Sequence, residues 1–241
     1  MSSETGQGCP SSGPRDLFNL PVSALTMQDT VLTCHRALLS GESVLIGVVN
    51  AAKVVNQRRD PELRRALLSC DVLVADGQSV VWASKVLRQP LPERVAGIDL
   101  FEALLAVAAE EGHSVYLLGG TQQVLDTLVA KLRASKPGLR IAGARHGYFS
   151  EEDVPEICEE IRTARPSLLF LGMPSPLQER FEATYCRNLG VSVVHGVGGS
   201  FDVMAGLVRR APLAWQRLGL EWAYRLAQEP ARLWRRYALT N

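Results

Sequence analysis

Short apolar runs alternate with helical patterns along almost the whole chain. Five of these runs are rich in leucine or β-branched residues and lack the polar–apolar alternation of a half-exposed strand. They are residues 43–49, 71–75, 114–118, 168–171 and 191–195. Continuous apolar runs of this kind are typical of strands that are covered on both faces. A sixth and weaker strand is expected at residues 139–142.

Helical periodicity separates the apolar runs. It predicts helices over residues 61–68, 99–111, 122–134 and 151–163, with Asp99 as the N-cap of the second. Strand–helix–strand alternation with short loops predicts an α/β fold, in which a mostly parallel, doubly wound sheet carries helices on both faces.

The last 30 residues depart from this alternation of strands and helices. Pro212 and Pro230 each fit the first position of a helix. Residues 209–237 hold seven arginines against two glutamates, a net charge of +5 that leaves the rest of the chain at −4, and they include three of the four tryptophans. One interpretation is a solvated helical face whose aromatic side chains pack on the sheet domain. The other is a helix pair that lies on an anionic membrane surface.

Composition narrows the class of protein. The chain has 241 residues, of which 46% are hydrophobic and 21% charged, as in ordinary globular proteins. The formal net charge of +1 argues against a general nucleic-acid binder. Five cysteines without C-x-x-C spacing indicate reduced thiols and a cytosolic location. Residues 1–14 are expected to be a disordered tail, and no apolar run approaches the ~20 residues of a membrane span.

Candidate chemistry follows the predicted strands. In an open α/β sheet, ligands bind beyond the carboxyl ends of the strands. The residues found there are Asn50, Asp76-Gly77, Gly119-Gly120, Gln178-Glu179 and Gly196-Val197-Gly198-Gly199. Backbone N–H groups in glycine-rich turns and at helix N-termini can bind phosphate oxygens. The arrangement therefore predicts a pocket for a nucleotide diphosphate.

Each of these features also has an ordinary structural interpretation. Asp76-Gly77 is a common turn dipeptide, and Gly119-Gly120 fits the tight turn between a strand and a helix. Gln178 and Glu179 could form a solvated first turn of a helix. No G-x-G-x-x-G or Walker A motif is present, so neither dinucleotide nor P-loop binding is supported.

The sequence offers no metal site and implies no cofactor. The four histidines are far apart, and no cysteine or histidine pair has zinc spacing. Residues 151–153, Glu-Glu-Asp, are better explained as acidic residues at a helix start. No Asp-x-Asp motif is available to hold a divalent ion on a sugar nucleotide. A diphosphate leaving group would then have to be stabilised by arginine.

Several longer motifs are more specific. They are DGQSVVWASKVLRQPLPERVAGIDL at 76–100, VYLLGG at 115–120, GYF at 147–149, GMPSPLQE at 172–179, GVGGSFD at 196–202, RAP at 210–212 and EWAYRLAQEPARLWRRY at 221–237. In these motifs and in their order the chain resembles the WecG/TagA/CpsF glycosyltransferases, from about Leu17 to Tyr237.

The resemblance implies a Rossmann-like catalytic domain, here residues 15–206, and a C-terminal helical appendage, residues 207–241, that contacts a membrane. It implies inverting, metal-independent transfer of N-acetylmannosamine or its uronate. The donor would be a UDP-sugar and the acceptor a polyprenyl-diphosphate-linked GlcNAc, in cell-surface polysaccharide synthesis such as that of teichoic acid. The enzyme would then be peripheral on the inner face of the cell membrane, and relatives self-associate.

The resemblance also assigns roles to residues. It matches Asp76 to the proposed catalytic base. Substrate-binding residues are matched by Asn50, Arg94 and Gln178, beside the glycines 119, 120, 198 and 199 of the strand ends, and by the appendage residues Arg225, Arg232 and Arg235.

One departure bears on the substrate. Many relatives carry Thr two residues before the Asn, where this chain has Val48. The missing hydroxyl leaves the donor sugar open, with a UDP-hexose transferase that builds an exopolysaccharide repeat unit as the alternative. A non-catalytic nucleotide-binding module at a membrane surface is the alternative from another class.

Overall fold

A small hairpin precedes the main sheet of the protein. The computed structural model describes residues 13–212, Trp215 and residues 221–228, so most of the expected tail at 1–14 and part of the appendage lie outside the described residues. The hairpin consists of β1 (Arg15–Leu17) and β2 (Leu20–Val22), which pair antiparallel. Its turn residues Phe18 and Asn19 have φ of 59° and 60°.

The hairpin was not predicted from the sequence. Its strands are only three residues long, and a phenylalanine is an unusual occupant of a left-handed turn position. Tertiary contacts stabilise it instead. The backbone N–H of Ser23 donates to the carbonyl of Leu73, and the side-chain amide of Gln57 donates to the carbonyl of Phe18 at 3.0 Å.

Six parallel strands form the main sheet. They are β3 (Val44–Val49), β4 (Val72–Ala75), β5 (Ser114–Gly119), β6 (Arg140–Arg145), β7 (Leu168–Gly172) and β8 (Val193–Gly196). Their order across the sheet is β4-β3-β8-β7-β5-β6, and every neighbouring pair is parallel. The predicted strands are confirmed, with ends that differ by at most three residues.

Helices cover both faces of the sheet, as predicted. They are α1 (Met27–Ser40), α2 (Ala51–Asn56), α3 (Pro61–Leu68), α4 (Gln78–Val86), α5 (Gly97–Glu111), α6 (Gln122–Ser135), α7 (Val154–Ala164), α8 (Leu177–Tyr185), α9 (Ser200–Ala205) and α10 (Glu221–Gln228). None of the helices within the described ranges is both long and apolar enough to cross a membrane.

Alternate residues of each strand enter different cores. In β7, Leu168 and Phe170 face the core formed with α1, α5, α6 and α9, whereas Leu169 and Leu171 face the core formed with α7 and α8. A third cluster joins the hairpin to α3, α4 and the ends of β3 and β4. Because both faces are buried, five of the six strands form predominantly apolar runs in the sequence. The exception is β6 at the edge of the sheet, whose residues alternate between exposed and half-buried and which has an arginine at each end.

Two predicted helix starts need correction. Asp99 is not an N-cap: α5 begins at Gly97 with Ala96 at the N-cap, and Asp99 in its first turn pairs with Arg210 at 2.6 Å. The predicted helix at 151–163 begins with a 3-10 turn, Glu151–Asp153, which is capped by Ser150 and leads into α7.

The start of the C-terminal appendage is partly described. The N–H of Trp215 donates to the carbonyl of Pro212 at 2.9 Å, and the two residues between them lie outside the described part of the chain. Pro230, the other expected helix start, lies outside the described residues.

Candidate active site

The carboxyl ends of the parallel strands bring the candidate residues to one edge of the sheet. Val49 and Ala75 are paired neighbours in β3 and β4, so Asn50 and Asp76 follow the two strands side by side. The α-carbon of Gly77 lies against Asn50, whose Cβ would be 3.4 Å from a Cβ built on this glycine. Gly119 is likewise paired with Gly172 across β5 and β7.

Asp76 is held in position by the backbone. It is half-buried, its own N–H donates to the carbonyl of Val49, and its Oδ1 accepts a hydrogen bond of 2.9 Å from the N–H of Gly97. Gly97 is the first residue of α5, so its N–H has no partner within the helix. The carboxylate is therefore fixed through one of its two oxygens.

His195 contacts Gly97, the residue whose N–H binds Asp76. It is fully buried in β8, with Nε2 3.1 Å from the carbonyl of Gly97 and Nδ1 3.4 Å from the carbonyl of Ile46. Burial lowers the pKa of His195, so the ring is neutral and donates through one nitrogen. Of the two carbonyls, that of Gly97 is the nearer acceptor. Gly97 therefore contacts Asp76 through its N–H and His195 through its carbonyl.

Asn50 caps the next helix. Its Oδ1 accepts a hydrogen bond of 3.1 Å from the N–H of Lys53, which fixes the start of α2. The oxygen of the amide is therefore engaged by the protein. The NH2 group is the part of Asn50 that can donate to a ligand.

A buried ion pair joins α2, the helix that Asn50 caps, to α8. Nζ of Lys53 is 2.7 Å from Oε1 of Glu179 and donates at 2.8 Å to the carbonyl of Val48, and both charged side chains are less than a tenth exposed. Burial alone would lower the pKa of Lys53, but the neighbouring carboxylates, Glu179 above all, leave it raised. Burial would likewise raise the pKa of Glu179, and Lys53 outweighs that effect and lowers it. Both groups are therefore charged at neutral pH.

Gln178 is buried and faces the protein. Its Oε1 accepts a hydrogen bond of 2.9 Å from the N–H of Gly198, so the amide holds the loop that follows β8. With Glu179 also buried, the alternative of a solvated helical turn is wrong. Gln178 therefore supports the loop that contains Gly198.

Glu182 lies one turn further along α8, beside Gln178. It is buried, and its Oε1 has no hydrogen-bond partner among the described residues. Burial, with the nearby charge of Glu179, raises the pKa of Glu182 to about 8, so this side chain carries a proton at neutral pH. Both side chains occupy the space beside Gly196, where a Cβ would overlap each of them.

The backbone conformation at positions 119 and 120 requires glycine. Gly119 has φ of 143° and Gly120 has φ of 66°, and a Cβ on Gly119 would overlap the carbonyl group of Gly172. The N–H of Gly120 donates to that carbonyl at 2.9 Å. The tight-turn interpretation accounts for both glycines, whether or not a ligand also contacts them.

Gly198 and Gly199 differ from Gly119 and Gly120. A Cβ on Gly199 would have no atom within 4 Å, and one on Gly198 would only approach the carbonyl oxygen of Met173 at 3.9 Å. Open space therefore adjoins the backbone of this loop, which Gln178 holds in place.

Arg94 is paired with the appendage. Its Nη1 is 2.9 Å from Oε2 of Glu221, the first residue of α10, and Nε of Arg210 is 3.7 Å from the other oxygen. At the other end of α10, Gln228 exchanges two hydrogen bonds with the backbone of Arg209. Arg225 lies on α10, whereas Arg232 and Arg235 lie outside the described residues.

Sequence reasoning missed four residues that support the candidate site, namely Lys53, Gly97, Glu182 and His195. For two of them the sequence contained a signal. Lys53 is a lone charge within the apolar run AAKVV, and Glu182 stands four residues after Gln178, on the same face of a helix. His195 and Gly97 gave no such signal, because their roles depend on a contact between distant segments. In the described part of the chain, no group of three or more His, Cys, Asp or Glu side chains is placed to hold a metal ion.

Comparison with known proteins extends this picture. A family model described as the glycosyl transferase WecG/TagA/CpsF family matches residues 15–241, which confirms the resemblance carried by the motifs. Enzymes of this family act in cell-surface polysaccharide synthesis, with nucleotide-sugar donors and lipid-linked acceptors. The match covers both the sheet with its edge of polar residues and the arginine-rich appendage, and the chain therefore belongs to the WecG/TagA/CpsF family of glycosyltransferases.

Proposed function

We propose that the protein transfers N-acetylmannosamine or its uronate, with inversion, from a UDP-sugar to a polyprenyl-diphosphate-linked GlcNAc, and that Asp76 is the catalytic base. The observation that carries the proposal is the fixed carboxylate of Asp76 at the edge where the strands end, oriented by the N–H of Gly97 at 2.9 Å. A base held by the rigid start of a helix meets the geometric demand of general base catalysis.

The reaction is a single displacement. The acceptor hydroxyl attacks the anomeric carbon from the face opposite the diphosphate, and its proton passes to the carboxylate of Asp76. The bond between the anomeric carbon and the diphosphate oxygen breaks, and UDP leaves with the electron pair. A positioned base of this kind contributes a factor of ~10²–10⁴ to the rate.

Arginines neutralise the departing diphosphate in this mechanism. Arg94 is the described candidate, and its partner Glu221 shows that its guanidinium already binds a carboxylate. A diphosphate would share or replace that partner, since charge-assisted hydrogen bonds to phosphate are of the same kind. Arg225, Arg232 and Arg235 would add to this charge from the appendage.

The donor pocket is assigned to the neighbouring strand ends. Asn50 would donate through its amide, and the backbone of Gly198 and Gly199 would face the donor across open space. Gly119 and Gly120 would border the same pocket. Gln178 would act on the donor through the loop that it holds, rather than by direct contact.

The acceptor places the reaction at a membrane. We assign the enzyme to the cytoplasmic face, where the anionic surface would attract residues 209–237. Self-association, which the resemblance implies, stays a prediction.

Val48 is the reason for considering a second class of donor sugar. Its side chain is buried at the end of β3, with Cγ1 3.6 Å from where a Cβ on Gly97 would stand. A hydroxyl at this position would lie beside the peptide that orients Asp76, and this chain lacks it. A UDP-hexose donor is therefore the competing substrate.

Release of UDP tests the proposal. The purified full-length chain is incubated with a short-chain lipid-diphosphate GlcNAc and, in turn, UDP-N-acetylmannosamine, its uronate and UDP-hexoses. We expect acceptor-dependent UDP release with the N-acetylmannosamine series. Release only with a hexose would select the competing donor, and binding of UDP-sugar without release in any combination would assign the chain to a non-catalytic module.

Chelation tests the role of arginine. We expect full turnover in excess EDTA. Loss of turnover that Mg²⁺ restores would show that a divalent ion, rather than arginine, stabilises the diphosphate.

A further inference from the structure

The helix that follows Asp76 carries an exposed apolar surface. α4 buries Val80, Val81 and Ser84 against the third core cluster and the loop after the helix. Its opposite side exposes Trp82 by 51%, and Val86 and Leu87 at the helix end are exposed by 81% and 51%. We call these three residues the α4 patch.

Basic side chains accompany the α4 patch. Lys85 and Arg88 are both exposed, and the sequence from Gly77 to Pro92 contains no acidic residue. Arg88 has φ of 58° at the end of α4, while the N–H of Gln89 donates to the carbonyl of Ser84. Glycine is the residue that this left-handed capping position favours, so the chain keeps a basic side chain there against conformational preference.

We infer that the α4 patch is a contact surface for an anionic lipid bilayer, separate from the arginine-rich appendage. Tryptophan favours the headgroup region, small apolar side chains enter the acyl boundary, and lysine and arginine bind anionic headgroups. The α4 patch, together with Lys85 and Arg88, offers all three within seven residues of chain.

A second copy of the chain fits the α4 patch less well. A two-fold interface sets the same surface against itself, which would bring Lys85 and Arg88 of both copies together without acidic partners from α4 or the loop after it. An anionic bilayer meets these charges with opposite ones.

The place of the α4 patch relative to Asp76 gives it a use. α4 begins two residues after Asp76, and its nine residues span about 13 Å. Contact through α4 would bring the site edge of the sheet close to the headgroups, where a lipid-linked acceptor presents its diphosphate and sugar. The biological meaning rests on the proposed function, but lipid binding is measured without donor or acceptor.

Vesicle binding of the full-length chain tests the inference. The double variant Trp82→Ser/Val86→Ser is compared with the wild type and with a control, Leu39→Ser/Leu68→Ser, which removes exposed leucines from α1 and α3. On phosphatidylglycerol-containing vesicles we expect at least about tenfold weaker binding of the α4 variant and unchanged binding of the control. Lys85→Glu/Arg88→Glu should weaken binding in the same way, and urea midpoints verify that each variant is folded.

Three outcomes would overturn the inference. Wild-type affinity in both α4 variants would show that this surface does not touch lipid, as would equal weakening in the control. A shift from dimer to monomer in the α4 variants, with vesicle binding unchanged, would assign the surface to a second copy. On a soluble short-chain acceptor the α4 variants should keep wild-type turnover, so failure of the proposed function is detected separately.

Discussion

Lys53 and Glu179 form a buried ion pair of 2.7 Å between α2 and α8. Asn50 caps α2 and Gln178 precedes Glu179, so the pair joins two elements that border the candidate site. A buried charge that loses its partner is costly, whereas removal of both charges can be neutral.

Lys53→Met should destabilise the protein strongly. The methionine leaves Glu179 buried without its cation, and we expect the free energy of unfolding to fall by about 3–5 kcal/mol. Urea denaturation at pH 7 measures it. The double variant Lys53→Met/Glu179→Leu should recover most of the loss, and a double variant as unstable as the single one would contradict the pairing.

Asp76→Asn should abolish transfer and leave the fold intact. The amide oxygen of asparagine can still accept from the N–H of Gly97, but it cannot take the acceptor proton at neutral pH. We expect kcat to fall by ~10²–10⁴ with nearly unchanged affinity for the donor. Asp99→Asn, at the start of the same helix as Gly97, is the control and should keep its turnover. An Asp76→Asn enzyme with more than about a tenth of wild-type turnover would remove Asp76 from this role.

Glu182 should make stability depend on pH. Its pKa is about 8 in the folded protein and near 4.5 when unfolded, because burial disfavours the charge. Between these values the folded state binds the extra proton, so the contribution of Glu182 to stability falls as pH rises. The slope approaches about 1.4 kcal/mol per pH unit and ends above the folded pKa.

Glu182→Gln isolates this effect. The variant should flatten the decline in the free energy of unfolding between about pH 5 and pH 8, measured by urea denaturation at several pH values. Equal slopes in the wild type and the variant would show that Glu182 is already charged in the folded state.

Gly196→Ala should disturb the loop that follows β8. A methyl group would overlap the side chains of Gln178 and Glu182, and overpacking of this kind costs ~1–3 kcal/mol. Because Gln178 holds the N–H of Gly198, turnover should fall as well. Gly199→Ala is the matched control for stability, since its methyl group meets no protein atom within 4 Å. Its turnover is not compared, because the backbone of Gly199 is assigned to the donor pocket. Similar losses of stability in both variants would indicate a general loop effect.

Most of the sheet was predictable from sequence because five of its six strands are buried on both faces. A run such as residues 44–49 stays apolar over its whole length, and the polar residue Asn50 marks its end. The end of β6, whose residues alternate between exposed and half-buried, was placed three residues too early. Local sequence signals were less reliable where contacts between distant segments determine the structure. The turn at Phe18-Asn19 depends on Gln57, and α5 begins at Gly97 rather than after Asp99.

The candidate site was predictable only in part. Strand ends located Asn50 and Asp76, because parallel strands bring their carboxyl ends to one edge. The environment of each side chain was not readable in this way. Gln178 is turned toward Gly198, and Arg94 is paired with Glu221, 127 residues away in the chain.

The strand order β4-β3-β8-β7-β5-β6 has a consequence for the folding of the chain. The strands that fill the middle of the sheet, β7 and β8, are the last to leave the ribosome. Until they insert, the β3–β4 and β5–β6 pairs have no common neighbour, and Asp76 and Gly119 belong to separate halves. Non-local parallel pairing is slow to form. The edge that carries the candidate site is therefore completed only after residue 196 has been synthesised, so most of the chain must emerge before this site can form.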